Sequence, residues 1–165
     1  MQLNGVLLVD KPSGITSHDV VARVRRALGM KSVGHAGTLD PLASGLLVLL
    51  IGEATKLSNY LLNNDKAYEV KVKLGVETDS LDITGQIVHE QAVDLDPEWI
   101  CATATKLQGT LHLPVPKFSA VKVGGKKLYQ AAHANQEIEV PHRDMEFYNF
   151  DVLDVGKDFL QAEIH

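Results

Sequence analysis

Asp40 is the carboxylate in this sequence that is best placed to do chemistry. It lies between Leu39 and Pro41, in a stretch from Gly34 to Gly45 that contains three glycines. The following proline biases Asp40 towards extended backbone geometry, and the glycines permit close approach of a ligand. An acid held in this way is either a turn-capping residue, as Asp commonly is, or a positioned reactive group. An apolar run at 46–51 follows and predicts a buried strand that anchors the loop.

The other chemically active residue types support no alternative catalytic site. The seven histidines are scattered without a His-x-x-x-His pair, and the single cysteine, Cys101, excludes a disulfide framework and a cysteine-based metal site. No serine lies in a Gly-x-Ser-x-Gly elbow, and Gly34-x-x-Gly37 lacks the Lys-Ser ending of a phosphate-binding loop. We therefore expect no metal site. A lone aspartate in a glycine- and proline-rich loop suits nucleophilic chemistry better than proton relay.

Two further residues could contact a ligand. His35, in the same loop as Asp40, is either a hydrogen-bonding loop residue or a contact to a phosphate or a base. Tyr68 begins an alternating segment, which favours a core-facing aromatic on a strand. Aromatic residues on a sheet face also stack on flipped or single-stranded bases. The residues by themselves leave these alternatives open.

The elements around these residues predict an α+β fold with a largely antiparallel sheet flanked by helices. Thr16 and Asp19 stand at capping-box spacing before a helix that Gly29 ends. Alternation from Tyr68 to Leu74 predicts a strand with one buried face, and Asp96-Pro97 starts a further helix. We expect the other elements as strands at 6–9, 46–51, 86–90, 146–155 and 158–164, as helices at 53–62 and 126–134, and as a loop at 75–85.

Length and composition fit one globular domain, or one domain plus part of a second. The chain has 165 residues, of which 45% are hydrophobic and 22% are charged. It shows no N-terminal signal core and no apolar run long enough to span a bilayer, so we expect a soluble cytoplasmic protein that binds no membrane. The net charge of -5 argues against a general nucleic-acid binder, although basic residues cluster before the glycine-rich loop and again near residue 122.

Several ordered segments resemble the bacterial type of the TruB family of tRNA pseudouridine synthases. The segment from Asn4 to Ser17 resembles the family's first motif, and the segment from Gly34 to Gly45 resembles its catalytic motif. The resemblance covers nearly the whole chain and implies the pseudouridine synthase fold. Its remaining segments lie at 52–56, 66–68, 75–85, 116–122 and 125–129.

This resemblance implies a function and a set of site residues. Asp40 matches the catalytic aspartate, His35 the histidine that contacts the flipped nucleotide, and Tyr68 the tyrosine that stacks on the uracil. The implied reaction isomerises the T-loop uridine of tRNA, at tRNA position 55, to pseudouridine on a flipped-out base, without a cofactor. The expected partner is the T-arm stem-loop, with no guide RNA and no obligate protein partner. Lysines that are RNA-side or structural candidates are Lys11, Lys56, Lys126 and Lys127.

The family normally continues beyond the position of His165. A Gly-Thr-Tyr-Ile-Arg segment follows, whose arginine pairs with the catalytic aspartate, and then a PUA-type RNA-binding domain. We therefore expect residues 1–165 to be a partial catalytic domain with little or no activity by itself. The alternative from a different class is a non-catalytic RNA-binding or tRNA-folding fragment that retains the shell of the fold. The intact loop around Asp40 favours the enzyme for the whole protein.

Overall fold

The structure, a computed structural model, describes residues 3–62, 64–94, 96–116, 121–123, 126–128 and 140–165. The chain divides into two compact units, Met1–Asp65 and Lys66–His165. No helix within the described ranges is both long enough and apolar enough to cross a membrane.

The first unit is built on a three-stranded antiparallel sheet. Its strands are β1 (Gly5–Lys11), β2 (Val33–His35) and β3 (Gly45–Ile51), in the order β1-β3-β2. The helix α1 (Ser17–Leu28) connects β1 to β2. The segment 11–17 runs from the last residue of β1 to the first residue of α1.

A 3-10 helix (Gly52–Leu57) and the short helix α2 (Ser58–Leu61) follow β3, where the sequence predicted one helix over 53–62. The Thr55 hydroxyl donates a hydrogen bond of 2.8 Å to the Gly52 carbonyl, three residues earlier. A local bond of this kind competes with the i to i+4 hydrogen bonds of an α-helix. The tighter first turn follows from this competition.

Helix α1 begins and ends where its capping residues predicted. The Asp19 amide donates to Thr16 Oγ1 at 3.0 Å, and the Thr16 amide donates to Asp19 Oδ2 at 2.9 Å. Gly29 ends the helix in left-handed geometry, with a φ of 62°. Local sequence was sufficient for both predictions because each cap joins residues within one helical turn of each other.

The core of the first unit lies between α1 and one face of its sheet. Leu47 and Leu49 on β3 pack there with Val20 and Val21 of α1. Burial of the apolar run 46–51 is confirmed at Leu47, Leu49, Leu50 and Ile51 but was wrong for Leu46, which is 64% exposed. Successive side chains of a strand point to opposite faces, so Leu46 points away from the face that α1 covers.

The second unit contains the α-helix α3 (Pro97–Ala104), capped by Asp96 as predicted. A 3-10 turn (Thr105–Leu107) extends it. The strands are β4 (Tyr68–Lys73), β5 (Val76–Thr78), β6 (Ile87–Glu90), β7 (Gly109–Pro114), β8 (Lys122–Val123), β9 (Lys126–Lys127), β10 (His142–Phe147), β11 (Phe150–Val155) and β12 (Phe159–Ile164).

The core of the second unit forms where α3 packs on the sheet β11-β12-β4. Ile100 and Ala104 of the helix contact Leu160 and Ala162 of β12 and Phe150 of β11. The other strands pair as two-stranded ribbons: β5 with β6, β7 with β10, and β8 with β9. All pairings among the described residues are antiparallel, which confirms the predicted α+β class.

Three predicted elements of the second unit differ from the structure. The segment 75–85 is not all loop, because β5 lies within it. The run 146–155 is divided between β10 and β11, since the Tyr148 amide leaves the ribbon and donates to the His165 carbonyl at 2.9 Å. The helix predicted over 126–134 was wrong at 126–127, where β9 forms; Leu128 is helical, and residues 129–134 lie outside the described part of the chain.

The turn between β5 and β6 is organised by the Asp82 carboxylate. Its Oδ1 accepts hydrogen bonds from Thr84 Oγ1 at 2.6 Å, from the Thr84 amide at 2.8 Å and from Ser80 Oγ at 2.8 Å. These bonds, those from Thr84 above all, hold the pKa of Asp82 below its ordinary value. The ionised form of Asp82 therefore stabilises the turn.

We expect this turn to lose order on acidification. The pKa of Asp82 is lower in the folded protein than in the unfolded chain. The ionised carboxylate therefore gives the turn its full stabilisation above the ordinary pKa of 3.8, and this stabilisation is lost as the pH falls through the lowered pKa. The protection factor of the Thr84 amide against hydrogen exchange, measured as a function of pH, should fall in that window.

Asp82→Asn keeps an acceptor oxygen but removes the charge, so it should abolish this pH dependence of the protection factor. Asp94→Asn alters an exposed carboxylate elsewhere in the second unit and should leave the dependence unchanged. A wild-type protection factor that stays constant through the window would contradict the stabilising role of ionised Asp82.

Candidate active site

The candidate site is the segment from Gly34 to Gly45, here called the aspartate loop. Its first two residues were predicted as loop but belong to β2, where His35 pairs with β3. The Ala36 amide donates to the Val48 carbonyl at 2.9 Å, so the irregular part begins at Gly37. Gly37 has a φ of 129° and Gly45 a φ of 119°, a backbone conformation that other residues rarely adopt. These two glycines allow the chain to leave and rejoin the sheet.

Every backbone carbonyl from residue 39 to residue 43 accepts a hydrogen bond. The Asp40 carbonyl accepts from the Ala43 amide at 3.1 Å and closes a turn with Pro41 at its second position, where proline is favoured. The segment 11–17 supplies the other four donors: Ser17 Oγ to Leu39 at 3.0 Å, the Gly14 amide to Pro41 at 2.7 Å, Ser13 Oγ to Leu42 at 2.8 Å and Lys11 Nζ to Ala43 at 2.6 Å. The backbone on both sides of Asp40 is therefore tied to the start of the chain.

Lys11 is the only lysine among the described side chains that is fully buried. Its ammonium donates to the carbonyls of Pro12 at 3.1 Å, Ile15 at 2.9 Å and Ala43 at 2.6 Å. An ammonium group has three donors, and here all three are used. Of the two roles predicted for Lys11, RNA contact or structure, its burial favours the structural one.

Asp40 presents a free carboxylate on this fixed backbone. Its side chain is exposed and makes no hydrogen bond or ion pair with any residue that the structure describes. The turn that begins at Asp40 is closed by the Asp40 backbone carbonyl, and the carboxylate caps no turn within the described residues. An exposed carboxylate on a constrained backbone can act as a nucleophile towards a bound electrophile.

His35 is half-buried beside the loop, with its two ring nitrogens in different environments. Its Nδ1 is buried and has no hydrogen-bond partner among the described residues, while Nε2 is not buried. A buried N–H without an acceptor costs more than a buried lone pair, so the proton is favoured on Nε2. In that tautomer the Nε2–H of His35 is a donor next to the aspartate loop. Ser58 Oγ supports the strand here by donating to the His35 carbonyl at 3.3 Å.

The remaining predicted contacts lie on other elements. Lys56 is exposed in the first unit, and its ammonium pairs with the Glu53 carboxylate at 2.5 Å, which raises the pKa of Lys56. Tyr68 begins β4 in the second unit; it shares a face with Val70, faces Ile164 across the sheet and is 44% exposed. Lys126 and Lys127 form β9, and their side chains lie outside the described part of the structure.

Ser13 and Ser17 are site residues that the sequence did not identify. Thr16 caps α1, and the neighbouring Ser17 hydroxyl bonds to Leu39. The available signal was the position of both serines within the motif-like segment 4–17, which ends at the first residue of α1. Within the described ranges, no group of three or more His, Cys, Asp and Glu side chains could hold a metal ion.

Comparison with known proteins gives the family of this chain. Residues 25–165 match the family model described as TruB family pseudouridylate synthase (N terminal domain). The chain belongs to the TruB family. The matched TruB region contains His35, Asp40 and Tyr68, and the family resemblance deduced from the sequence motifs is confirmed.

Two TruB relatives are similar to nearly the whole of this chain, which covers about half of each of them. The tRNA pseudouridine synthase B of Bdellovibrio bacteriovorus is 49% identical over 164 residues, which are 99% of this chain and 53% of that protein. The protein of the same name from Caldicellulosiruptor saccharolyticus is 47% identical over 162 residues, 98% of this chain and 56% of that protein. The chain thus spans about half the length of the curated relatives it matches.

Solved structures confirm the pseudouridine synthase fold. A chain in a crystal structure of a Cbf5-Nop10-Gar1 complex superposes with a TM-score of 0.73 at 26% identity, over 99% of this chain and 39% of that chain. A chain in an H/ACA RNP bound to a substrate RNA containing 2'-deoxyuridine gives a TM-score of 0.67 over 97% of this chain and 37% of that one. Its identity of 23% supports the fold alone.

We expect Lys11→Met to destabilise the first unit by about 2 to 4 kcal/mol, because it leaves three carbonyls without their charged donor. Urea unfolding, followed by a probe in residues 3–62, measures this loss. The loss should persist at high salt, since a buried ammonium is poorly screened. Lys31→Met, which removes an exposed cation of the same unit, is the matched control and should change stability little. Equal stability of the two variants would contradict the structural role of the buried Lys11 ammonium.

Proposed function

We propose that the protein is a cytoplasmic tRNA pseudouridine synthase that converts the T-loop uridine, at tRNA position 55, to pseudouridine, with Asp40 as the nucleophile. The observation that carries the proposal is the free, exposed Asp40 carboxylate on a loop whose carbonyls from 39 to 43 are all hydrogen-bonded. The names of the relatives, tRNA pseudouridine synthase B, support the reaction and the substrate class.

The reaction is a redox-neutral rearrangement. The bond between N1 of uracil and C1' of the ribose breaks, the base turns while bound, and a new bond joins C5 of uracil to C1'. The proton on C5 is lost, and N1 gains one. A carboxylate can assist either by adding to C6 of the ring or by taking the place of uracil at C1', and it leaves when the new bond has formed. Both routes use the Asp40 carboxylate as the nucleophile.

The target base must leave its stack before Asp40 can reach it, at a cost of a few kcal/mol. His35 supports this step, because an Nε2–H donor can bind a phosphate or a base edge of the extruded nucleotide. Tyr68 supports it as well, since a half-exposed aromatic ring at the end of a sheet can stack on the free base. The substrate in this proposal is the tRNA T-arm alone, without a guide RNA or an obligate protein partner.

Asp40→Asn tests the nucleophile. The amide has nearly the same size as the carboxylate but cannot attack the nucleotide, so turnover of a T-arm stem-loop should fall at least about a thousand-fold. The affinity for the RNA should change less than about threefold, because the loop backbone is unaltered. Pseudouridine is quantified by chromatography of the digested RNA, and affinity by fluorescence anisotropy.

The assay is run without guide RNA on the 165-residue chain and on a chimera that adds the part of the Bdellovibrio bacteriovorus relative that this chain does not match. Asp94→Asn, an exposed carboxylate of the second unit, is the matched control and should retain wild-type turnover. Full turnover by Asp40→Asn would overturn the nucleophile assignment. Tight RNA binding without turnover by either wild-type protein would favour the non-catalytic RNA-binding alternative.

Two amide substitutions at His35 test which nitrogen contacts the RNA. The side-chain nitrogen of Gln lies near the position of histidine Nε2, and that of Asn near the position of Nδ1. We expect His35→Gln to bind the stem-loop within about threefold of wild type and His35→Asn to bind about tenfold more weakly, the loss of one charge-assisted hydrogen bond. His89→Gln, on an exposed strand of the second unit, should bind like wild type. Equal affinity of the two His35 variants would contradict the Nε2 donor.

A further inference from the structure

Ser17 stands at the start of α1 with only 4% of its surface exposed, and its hydroxyl makes two hydrogen bonds to one residue of the aspartate loop. The hydroxyl donates to the Leu39 carbonyl at 3.0 Å and accepts from the Leu39 amide at 2.9 Å. A serine hydroxyl has one hydrogen and two lone pairs, so a single group can make both bonds. Twenty-two positions separate the two residues in sequence, so this contact depends on the tertiary fold.

The bond to the Leu39 carbonyl bears directly on Asp40, the residue after Leu39, whereas the bond from the Leu39 amide restrains the peptide plane before Leu39. The peptide plane that contains the Leu39 carbonyl also contains the Asp40 amide nitrogen. The plane that contains the Asp40 carbonyl is held by the Ala43 amide at 3.1 Å. Both peptide planes that flank Asp40 are therefore restrained. Together they set the backbone angles of Asp40 and hence the direction in which its Cβ leaves the chain.

We propose that Ser17 is a positioning residue for Asp40: its hydroxyl aims the Asp40 side chain by fixing the peptide plane before it. The inference deepens the proposed function and rests on it. A nucleophile must be held within a fraction of an ångström of its productive position, and a displacement of about 1 Å can lower the rate about a hundredfold. Asp40 has no side-chain partner among the described residues, so its backbone supplies this precision.

The helix cap offers a matched control for Ser17. Thr16, one residue earlier, uses its hydroxyl only within α1, where it bonds to Asp19. Thr16→Ala therefore weakens the same helix terminus, by about 1 kcal/mol, and leaves the bonds to Leu39 in place. Ser17→Ala removes those bonds. Ser17→Cys keeps the shape of the side chain, with a larger sulfur atom in place of the oxygen, and removes most of the strength of these bonds.

The Ser17 and Thr16 substitutions are made in the protein that is active as wild type, either the 165-residue chain or the chimera. Turnover of the T-arm stem-loop is then measured for each variant. We expect both Ser17 variants to lower kcat by about 10- to 100-fold and to change KM less than about twofold, since a misdirected nucleophile slows chemistry without weakening RNA binding. Thr16→Ala should keep wild-type kcat below its unfolding temperature, which thermal unfolding of each variant establishes. Wild-type kcat in either Ser17 variant, or an equal loss of kcat in Thr16→Ala, would overturn the proposal.

Hydrogen exchange of the Leu39 amide tests the geometry without any activity. This amide donates to Ser17 Oγ, so its protection factor should fall in both Ser17 variants and persist in Thr16→Ala. Unchanged protection in the Ser17 variants would overturn the positioning role even in an active enzyme. Absence of turnover in both wild-type proteins, combined with the expected exchange pattern, would instead overturn the proposed function and with it the catalytic part of this inference.

Discussion

The buried ammonium of Lys11 is the interaction on which the candidate site depends. A charge with no exposed surface is stable only if its donors are matched, and the carbonyls of Pro12, Ile15 and Ala43 match all three. Two of these carbonyls lie in the turn after β1, and the third lies at the end of the aspartate loop. One side chain therefore joins the first strand, the turn that follows it and the loop that carries Asp40.

In the rest of the aspartate loop, too, hydrogen bonds fix the backbone, and the Asp40 side chain has no partner among the described residues. The segment 11–17 supplies four donors to the loop carbonyls, and Pro41 shapes the turn after Asp40. The glycines serve the ends of the loop, where Gly37 and Gly45 adopt positive φ angles. Rigidity of the backbone and freedom of the carboxylate are both what a positioned nucleophile requires.

Sequence patterns predicted those elements whose determinants are local. The cap of α1 at Thr16 and the cap of α3 at Asp96 each involve contacts within one turn, and both were confirmed. Alternation predicted the strand β4, but β4 lies at the edge of its described sheet, and Tyr68 is 44% exposed. The division of 146–155 at Tyr148 could not be predicted, because it depends on hydrogen bonds to His165 at the far end of the unit.

The sequence by itself determined the motif around Asp40, the glycines at its ends and the family to which the chain belongs. These depend on residue type and order, which are visible without a fold. Only the tertiary structure decided that Lys11 is buried and bonds to Ala43, that Ser17 bonds to Leu39 and that His35 lies on a strand with Nδ1 buried. Lys11 and Ala43 are 32 positions apart, and a contact of that range exists only after the sheet has brought β1 and β3 together.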